Sequence, residues 1–165
     1  MLSHLLLMRH AKSSWPGDIT SDHDRPLTDS GKDTAKAVGR VLVARNYAPD
    51  TIWSSDAVRT RQTAMCLIRA IEGAQTVLYN AQLYHASAEQ MLNICQKEDE
   101  PSGNLMILGH NPGMMAFHEY LTAQSHGYSP ACCAVLARQN HKGENWLDPK
   151  AWRLIDFINP EELAL

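Results

Sequence analysis

Two short strings of the chain constrain its fold more than any other feature. They are LLLMRHAKSS (5–14) and LMILGHNPGM (105–114), and each is an apolar run followed by a histidine and by turn-forming residues. An apolar run of this length between turn residues is typical of a strand buried in a parallel sheet. The pattern predicts an α/β fold in which His10 and His110 lie just past the carboxyl ends of two strands. Open α/β sheets bind their ligands at that edge.

The residues around these histidines indicate what kind of ligand the edge would bind. Arg9 adds a permanent positive charge directly beside His10. Two imidazoles and a guanidinium suit an anion that is first bound and then attacked. A phosphoryl group is the natural candidate, because the planar guanidinium donates paired hydrogen bonds to phosphate oxygens.

Strand and helix patterns alternate along the whole chain without a linker or a repeat, which predicts a single α/β domain over residues 1–165. We expect helices at 29–45, 57–71 and 87–97, and a fourth after residue 111. We expect strands at 5–9, 51–54, 76–79, 105–108, 132–137 and 152–158. The last two strands should be antiparallel, because the segment that joins them (139–150) is polar.

Several residues are expected to define the starts of these helices. Thr28 should cap the first helix, and Ser87 with Gln90 should form a capping box at the third. Pro112 suits the first position of the fourth helix. Asn111, just before it, is expected either to cap this helix or to contact the bound anion.

Composition limits the classes of protein to which the chain can belong. It has 165 residues, of which 44% are hydrophobic and 20% charged, and these are values of a globular domain. A net charge of −3 gives no general reason to expect a nucleic acid or a membrane as partner. The first apolar run is too short for a signal peptide, and no stretch could span a bilayer, so we expect a cytoplasmic protein.

The cysteines and the other histidines show no spacing typical of a metal site. The four cysteines are expected to be free, buried thiols in a reducing compartment, and no metal or cofactor is predicted. The remaining histidines are expected to be surface or structural residues: His4, His23, His85, His118, His126 and His141.

Four segments together resemble a known family. MRHA (8–11), SSDAVRTRQTA (54–64) and LGHNPGM (108–114) resemble motifs of the histidine phosphatase superfamily, the phosphoglycerate-mutase-like proteins. The short length and the segment DHDRPLTDSG (22–31) are similar to the SixA-type phosphohistidine phosphatases. The resemblance extends over about residues 5–157. It implies a three-layer sandwich with a mostly parallel, mixed central sheet, and a hydrolase that needs no metal.

The resemblance also implies roles for individual residues. His10 would attack phosphorus and form a phosphohistidine enzyme intermediate, which water then hydrolyses. Arg9 and Arg59 would clamp the phosphoryl oxygens, and His110 would donate a hydrogen bond to the same group. Arg61 lies two positions after Arg59, so it should face another side of the helix, toward solvent.

Three polar residues of the loop 12–27 are further candidates. Arg25 would either bind phosphate or substrate, or form an ion pair with Asp22 or Asp24. Lys12 and Ser13 follow the proposed nucleophile and are similar candidates for phosphate or substrate binding.

One departure from the family pattern bears on the substrate. Many relatives that cleave phosphate esters carry a glutamate in an L-x-E context, and it protonates the leaving oxygen. Here the segment QLYHASAEQML (82–92) has Tyr84 or His85 in that region, and Glu89 falls in a helix-capping turn. An alkoxide needs a proton to leave, whereas imidazole, with a pKa near 6.5, leaves far more easily.

These observations favour a phosphatase acting on phosphohistidine of a signalling or phosphocarrier protein, with no nucleic-acid or membrane partner. One alternative is a phosphatase for small phosphate esters, in which His85 or the substrate supplies the proton. A second alternative is a non-catalytic phosphate-binding adaptor, against which the presence of both arginines and both histidines argues.

Overall fold

The structure, a computed structural model, describes residues 1–139 and 145–163 and contains a six-stranded mixed sheet. The strands are β1 (Leu2–Arg9), β2 (Thr51–Ser55), β3 (Thr76–Asn80), β4 (Gly103–Gly109), β5 (Cys133–Arg138) and β6 (Trp152–Ile158). The helices are α1 (Asp29–Ala44), α2 (Val58–Ile71), α3 (Ala88–Gln96) and α4 (Gly113–Thr122). Short 3-10 turns lie at Asp22–Asp24, Ala81–Leu83 and Pro160–Glu162.

The strand order across the sheet is β3-β2-β4-β1-β5-β6. Strands β1 to β4 pair in parallel, while β5 runs antiparallel to β1, and β6 antiparallel to β5. The predicted α/β sandwich with a mostly parallel, mixed sheet is confirmed, as is the antiparallel pairing of the last two strands.

Each face of the sheet carries its own apolar core, and β1 contributes to both. Leu5 and Leu7 point into the core formed with α3 and α4, whereas Leu6 and Met8 point into the core formed with α1 and α2. All four side chains are fully buried. Successive side chains of a strand point to opposite faces. Because helices cover both faces, the strand is a continuous apolar run rather than an alternating one.

Strands β1 and β4 are neighbours in the sheet, and this places the two histidine motifs side by side. Their register pairs Arg9 with Gly109. The ladder continues one residue further, because the backbone N–H of His10 donates to the carbonyl of Gly109 over 3.1 Å. His10 and His110 therefore emerge at the same edge of the sheet, as the sequence predicts.

Two of the predicted helix caps are present. The hydroxyl of Thr28 accepts a hydrogen bond from the backbone N–H of Gly31 over 2.9 Å at the start of α1. Ser87 and Gln90 form the reciprocal capping box of α3.

The predicted start of α4 is wrong by one residue. The helix begins at Gly113, with Pro112 as its N-cap, and no side chain caps it. Asn111 does not cap the helix, because its side-chain amide instead donates to the carbonyl of Tyr128 over 2.9 Å. A bond to the loop after α4 replaces the local bond that the sequence pattern predicts.

The predictions for the cysteines and for the segment 139–150 have different outcomes. All four cysteines are free and buried, as predicted. The segment 139–150 is less polar than predicted where it is described, because Trp146 and Leu147 are buried in the core.

No helix in the described residues has the length and apolar character that crossing a membrane requires.

The close contact between α1 and the loop after His10 makes a testable prediction about Gly31. A Cβ atom at Gly31 would overlap the carbonyl oxygen of Lys12. We expect Gly31→Ala to lower the free energy of unfolding by about 1–3 kcal/mol, although alanine is intrinsically the better helix former. Urea denaturation measures the change. Gly17→Ala is the control, since a Cβ there meets nothing within 4 Å. A stabilised Gly31→Ala would contradict the contact.

Candidate active site

His10 directly follows β1 and is only 7% exposed. Its Nδ1 lies 2.7 Å from the carbonyl oxygen of Ala11 and donates its hydrogen to that oxygen. The lone pair of the neutral ring is therefore on Nε2. Burial, together with the positive charges of Arg59 and Arg9, lowers the pKa of His10 to about 4. The ring is neutral near pH 7, which is the form that a nucleophilic imidazole requires.

His110 lies beside His10, with 5.2 Å between the two ring centroids, and is also buried. Its Nε2 is 2.8 Å from the hydroxyl oxygen of Ser55. That hydroxyl accepts a hydrogen bond from the backbone N–H of Ala57, so its own hydrogen is available to His110 Nε2. Burial, and after it the neighbouring His10 and Arg59, lower the pKa of His110, so the ring is neutral. Its hydrogen is then on Nδ1, which is buried and has no protein partner among the described residues.

Arg59 lies in the first turn of α2 and is 3% exposed. Its Nη1 donates to the backbone carbonyl of Asp22 over 2.7 Å, and its Nη2 donates to Oδ2 of the same residue over 3.0 Å. One edge of the guanidinium is thus occupied by Asp22. Its Nε is buried and has no acceptor within the described chain.

Arg9, the last residue of β1, shows the same arrangement. Its Nη1 donates to the carbonyl of Tyr128 over 3.0 Å, and its Nε is buried without a partner in the described residues. The side-chain amide of Asn111 donates to the same Tyr128 carbonyl. This carbonyl therefore fixes both Arg9 and Asn111 at the rim of the site.

Three buried N–H donors near His10 thus have no acceptor from the described protein: Arg9 Nε, Arg59 Nε and His110 Nδ1. Buried donors in proteins are almost always hydrogen-bonded, so a cluster of unpaired donors indicates a ligand rich in acceptors. Oxygens of a phosphoryl group are suitable acceptors, since bonds from charged guanidinium groups to anionic oxygens are strong. The arrangement places three unpaired donors beside the neutral imidazole of His10.

Asp22 is the central residue of the site that the sequence did not single out, except as a partner of Arg25. Its Oδ1 accepts from Arg25 over 3.1 Å. Its Oδ2 accepts from Arg59 and His85, each over 3.0 Å, and from the hydroxyl of Tyr84. Burial by itself would raise the pKa of this carboxyl group. The hydrogen bonds, led by that from Tyr84, outweigh burial and hold the pKa well below its usual value.

His85 is exposed, as the sequence predicted, and its side chain also contacts the residues of this site. Its ring stacks on that of His110, with centroids 5.3 Å apart and planes 23° apart. The ring of Tyr84 meets His110 edge-on at 5.5 Å. The backbone of His85 has a φ of 53°, in the left-handed region that is uncommon for residues other than glycine.

Of the remaining histidines, His23 contacts the ring of Tyr84, with 5.0 Å between the ring centroids, and its Nε2 lies 3.0 Å from Oδ1 of Asp56. His118 is buried and bonded through Nδ1 to the hydroxyl of Tyr128, which agrees with a structural role. His141 lies outside the described residues. The described part of the chain contains no group of three or more His, Cys, Asp or Glu side chains that could hold a metal ion.

The candidates of the loop 12–27 differ in their surroundings. Arg25 pairs with Asp22, one of the two alternatives that the sequence left open, and its Nη2 donates to the hydroxyl of Ser13 over 3.0 Å. Ser13 thus contacts the loop itself rather than an open anion pocket. Lys12 is exposed and lines a separate groove with Pro130 and Glu161.

Arg61 faces away from the pocket, as predicted. It is exposed, its Nε donates to the carbonyl of Asp56 over 2.8 Å, and its guanidinium lies 4.7 Å from the ring centroid of Tyr79.

Comparison with known proteins agrees with this geometry. An uncharacterized chloroplastic protein of Arabidopsis thaliana is 30% identical over 172 residues, which cover 95% of this chain and 78% of the relative. A crystal structure from Agrobacterium tumefaciens, of a protein proposed to be the phosphohistidine phosphatase SixA, is 32% identical with a TM-score of 0.80. It covers 97% of this chain and 99% of its own. A protein from Nakamurella multipartitia with the same proposed identity is 26% identical, with a TM-score of 0.77 and 95% of each chain covered.

The family model of the histidine phosphatase superfamily (branch 1) matches residues 5–91, which include the proposed nucleophile and Arg59. Together with the sheet order and the two adjacent histidine motifs, this match establishes that the chain belongs to the histidine phosphatase superfamily.

Proposed function

We propose that this protein is a phosphatase that works through a phosphohistidine intermediate on His10. The observation that carries the proposal is the set of three buried, unpaired N–H donors beside a neutral imidazole. Each donor would bind an oxygen of the phosphoryl group that His10 attacks. Membership of the superfamily supports the same activity.

In the first step, the lone pair on His10 Nε2 attacks phosphorus in line with the bond to the leaving group. The P–N bond forms, and the leaving group departs with the electron pair of the bond that breaks. A phosphohistidine whose second ring nitrogen carries a hydrogen brings its own proton, and its ring departs as neutral imidazole. Arg9 Nε, Arg59 Nε and His110 Nδ1 stabilise the negative charge on the phosphoryl oxygens. The hydrogen bond from His10 Nδ1 to Ala11 stabilises the positive charge that develops on the ring.

In the second step, water attacks phosphorus and the P–N bond breaks. The electron pair returns to Nε2, the water proton passes to solvent, and inorganic phosphate leaves. The P–N bond is labile, so this step proceeds without a metal ion to activate the water.

We further propose that the substrate is phosphohistidine on another protein. The carboxyl group of Asp22 is ionised, and the hydroxyl of Tyr84 is bonded to it, with its pKa raised by burial and by Asp22. Neither group is therefore a ready proton donor. With neither Asp22 nor Tyr84 as a ready donor, the site suits a leaving group as good as imidazole. The likeness to the Agrobacterium tumefaciens protein supports the same substrate class.

The rim of the site supports a protein as the carrier of the phosphohistidine. The side chain of His85 is 54% exposed although it stacks on the buried His110, so the pocket opens directly to solvent. A phosphorylated side chain of a signalling or phosphocarrier protein could enter from that side.

One observation favours the alternative of a small-ester phosphatase. His85 Nε2 lies 3.0 Å from Oδ2 of Asp22, and an imidazole that is hydrogen-bonded to a carboxylate can act as a general acid. In this alternative, His85 would protonate an alkoxide leaving group.

The first prediction tests the covalent intermediate. On rapid quenching, the wild-type protein incubated with a ³²P-labelled phosphohistidine peptide should carry acid-labile, base-stable label. His10→Ala should carry none, and its turnover should fall by about 10³-fold or more. Circular dichroism checks that the variant is folded. Binding of the peptide without labelling or turnover by the wild type would indicate an adaptor instead.

The second prediction concerns the guanidinium clamp. We expect Arg59→Ala to lower kcat/KM by about 10²–10³-fold. Arg59→Lys should restore little of it, because an ammonium group replaces neither the Nε donor nor the two bonds to Asp22. Arg61→Ala is the matched control on the same helix and should stay within about twofold of the wild type. A larger loss in Arg61→Ala would contradict the assignment of the clamp.

The third prediction separates the two substrate classes. Without a proton donor, kcat/KM should fall steeply as the pKa of the leaving group rises, from nitrophenyl through phenyl to alkyl phosphates. Turnover of phosphohistidine should exceed that of alkyl phosphates by a wide margin, and His85→Ala should change it only mildly. A flat ester series that becomes steep in His85→Ala would instead favour the small-ester phosphatase.

A further inference from the structure

Asp22 lies between the buried Arg59 and the exposed His85, and its Oδ2 is 3.0 Å from a nitrogen of each. His10 is buried at the inner end of the pocket, and in-line attack requires the leaving group to depart on the opposite side, toward solvent. The exposed rim is formed by His85, which stacks on His110, and both His85 and Tyr84 are hydrogen-bonded to the carboxylate of Asp22. This carboxylate therefore joins the phosphoryl-binding Arg59 to the residues of the rim.

The negative charge at this position is fixed in both place and ionisation. Six hydrogen bonds hold Asp22: four reach its carboxylate, and its backbone carbonyl accepts one from the Arg59 side chain and one from the backbone N–H of Arg25. The pKa of the carboxyl group is held well below its usual value, so it is ionised at any pH near neutrality. A carboxylate restrained in this way cannot swing out of the path of an incoming anion without breaking these bonds.

An acidic group is unexpected at the rim of a pocket for dianionic phosphoryl groups. Orientation of Arg59 alone would not require a charge there, since backbone carbonyls such as that of Tyr128 perform this task for Arg9. The charge does, however, distinguish among leaving groups. Arg25 and Arg59 offset part of this charge, but compared with an uncharged residue here the carboxylate still disfavours a leaving group that carries a carboxylate or second phosphate, and does not disfavour a neutral or cationic one.

We propose that Asp22 is a specificity-determining residue that excludes phosphorylated substrates with anionic leaving groups and admits neutral or cationic ones, such as the imidazole of phosphohistidine. This inference rests on the proposed phosphatase function and deepens it. Asp22 acts on the leaving group through its charge, and acts on the phosphoryl group only by positioning Arg59.

Three aryl phosphates of similar shape test the proposal: 4-(carboxymethyl)phenyl, 4-(carbamoylmethyl)phenyl and 4-(2-aminoethyl)phenyl phosphate. Their leaving groups carry a side-chain charge of −1, 0 and +1, respectively. For the wild type we expect kcat/KM to be lowest for the anionic compound. In Asp22→Asn, the ratio of the neutral to the anionic compound should fall roughly five- to tenfold, the order expected for one unit charge about 4 Å away at the dielectric of bulk water.

The ratio is informative even if the variant is less active. A misplaced Arg59 would lower the rates of all three compounds by a common factor, which cancels in the ratio. Asp24→Asn is the matched control, because Asp24 lies on the same short turn, is 61% exposed, and its carboxylate reaches His23 rather than Arg59. It should leave the ratio unchanged.

The outcomes separate the two proposals. An unchanged ratio in Asp22→Asn, or an equal change in Asp24→Asn, would overturn the role of Asp22 in specificity. The proposed substrate is tested separately by turnover of phosphohistidine by the wild type. If phosphohistidine is not turned over but the charge ratio still collapses in Asp22→Asn, the substrate assignment fails and the selection by charge stands.

Discussion

The parallel pairing of β1 with β4 is the constraint on which the rest of the structure depends. It places two apolar strands at the centre of the sheet, with the second histidine motif directly beside the first. Because helices cover both faces, the strands need no polar side, and their side chains form two cores at once. The hydrogen bond from His10 to Gly109 extends the ladder past the strand end. The position of the proposed nucleophile is thus set by the backbone of the core.

Burial of the polar side chains at this edge of the sheet favours the proposed chemistry but lowers the stability of the fold. It lowers the pKa values of His10 and His110, so that both rings are neutral near pH 7 despite their different surroundings. Hydrogen bonds to Ala11 and Ser55 then decide which nitrogen of each ring carries the hydrogen. Buried donors without acceptors each cost about 1–3 kcal/mol. An oxyanion that pairs with them would relieve this cost, which couples ligand binding to stability.

Asp22 connects this buried interior with the exposed rim. Its bonds to Arg59 orient the guanidinium so that Nε remains available, and its bond to Arg25 ties the loop 12–27 across the pocket. The same carboxylate accepts hydrogen bonds from the two rim residues, Tyr84 and His85. The position of the loop, the proposed phosphoryl binding and the proposed selection of the leaving group therefore all involve one charged side chain.

The sequence by itself determined the elements, the fold class and the edge of the sheet at which the site lies. These follow from apolar periodicity and from caps such as Thr28, which act between residues close in the chain. Tertiary structure alone decided the contacts within the site. The hydroxyl of Ser55 is hydrogen-bonded to His110, 55 positions away, and Asp22 is hydrogen-bonded to Tyr84, 62 positions away. Asn111 donates to the carbonyl of Tyr128, 17 positions away, instead of capping α4. Such contacts have no period along the chain, because they arise only when strand pairing brings separate loops to one edge.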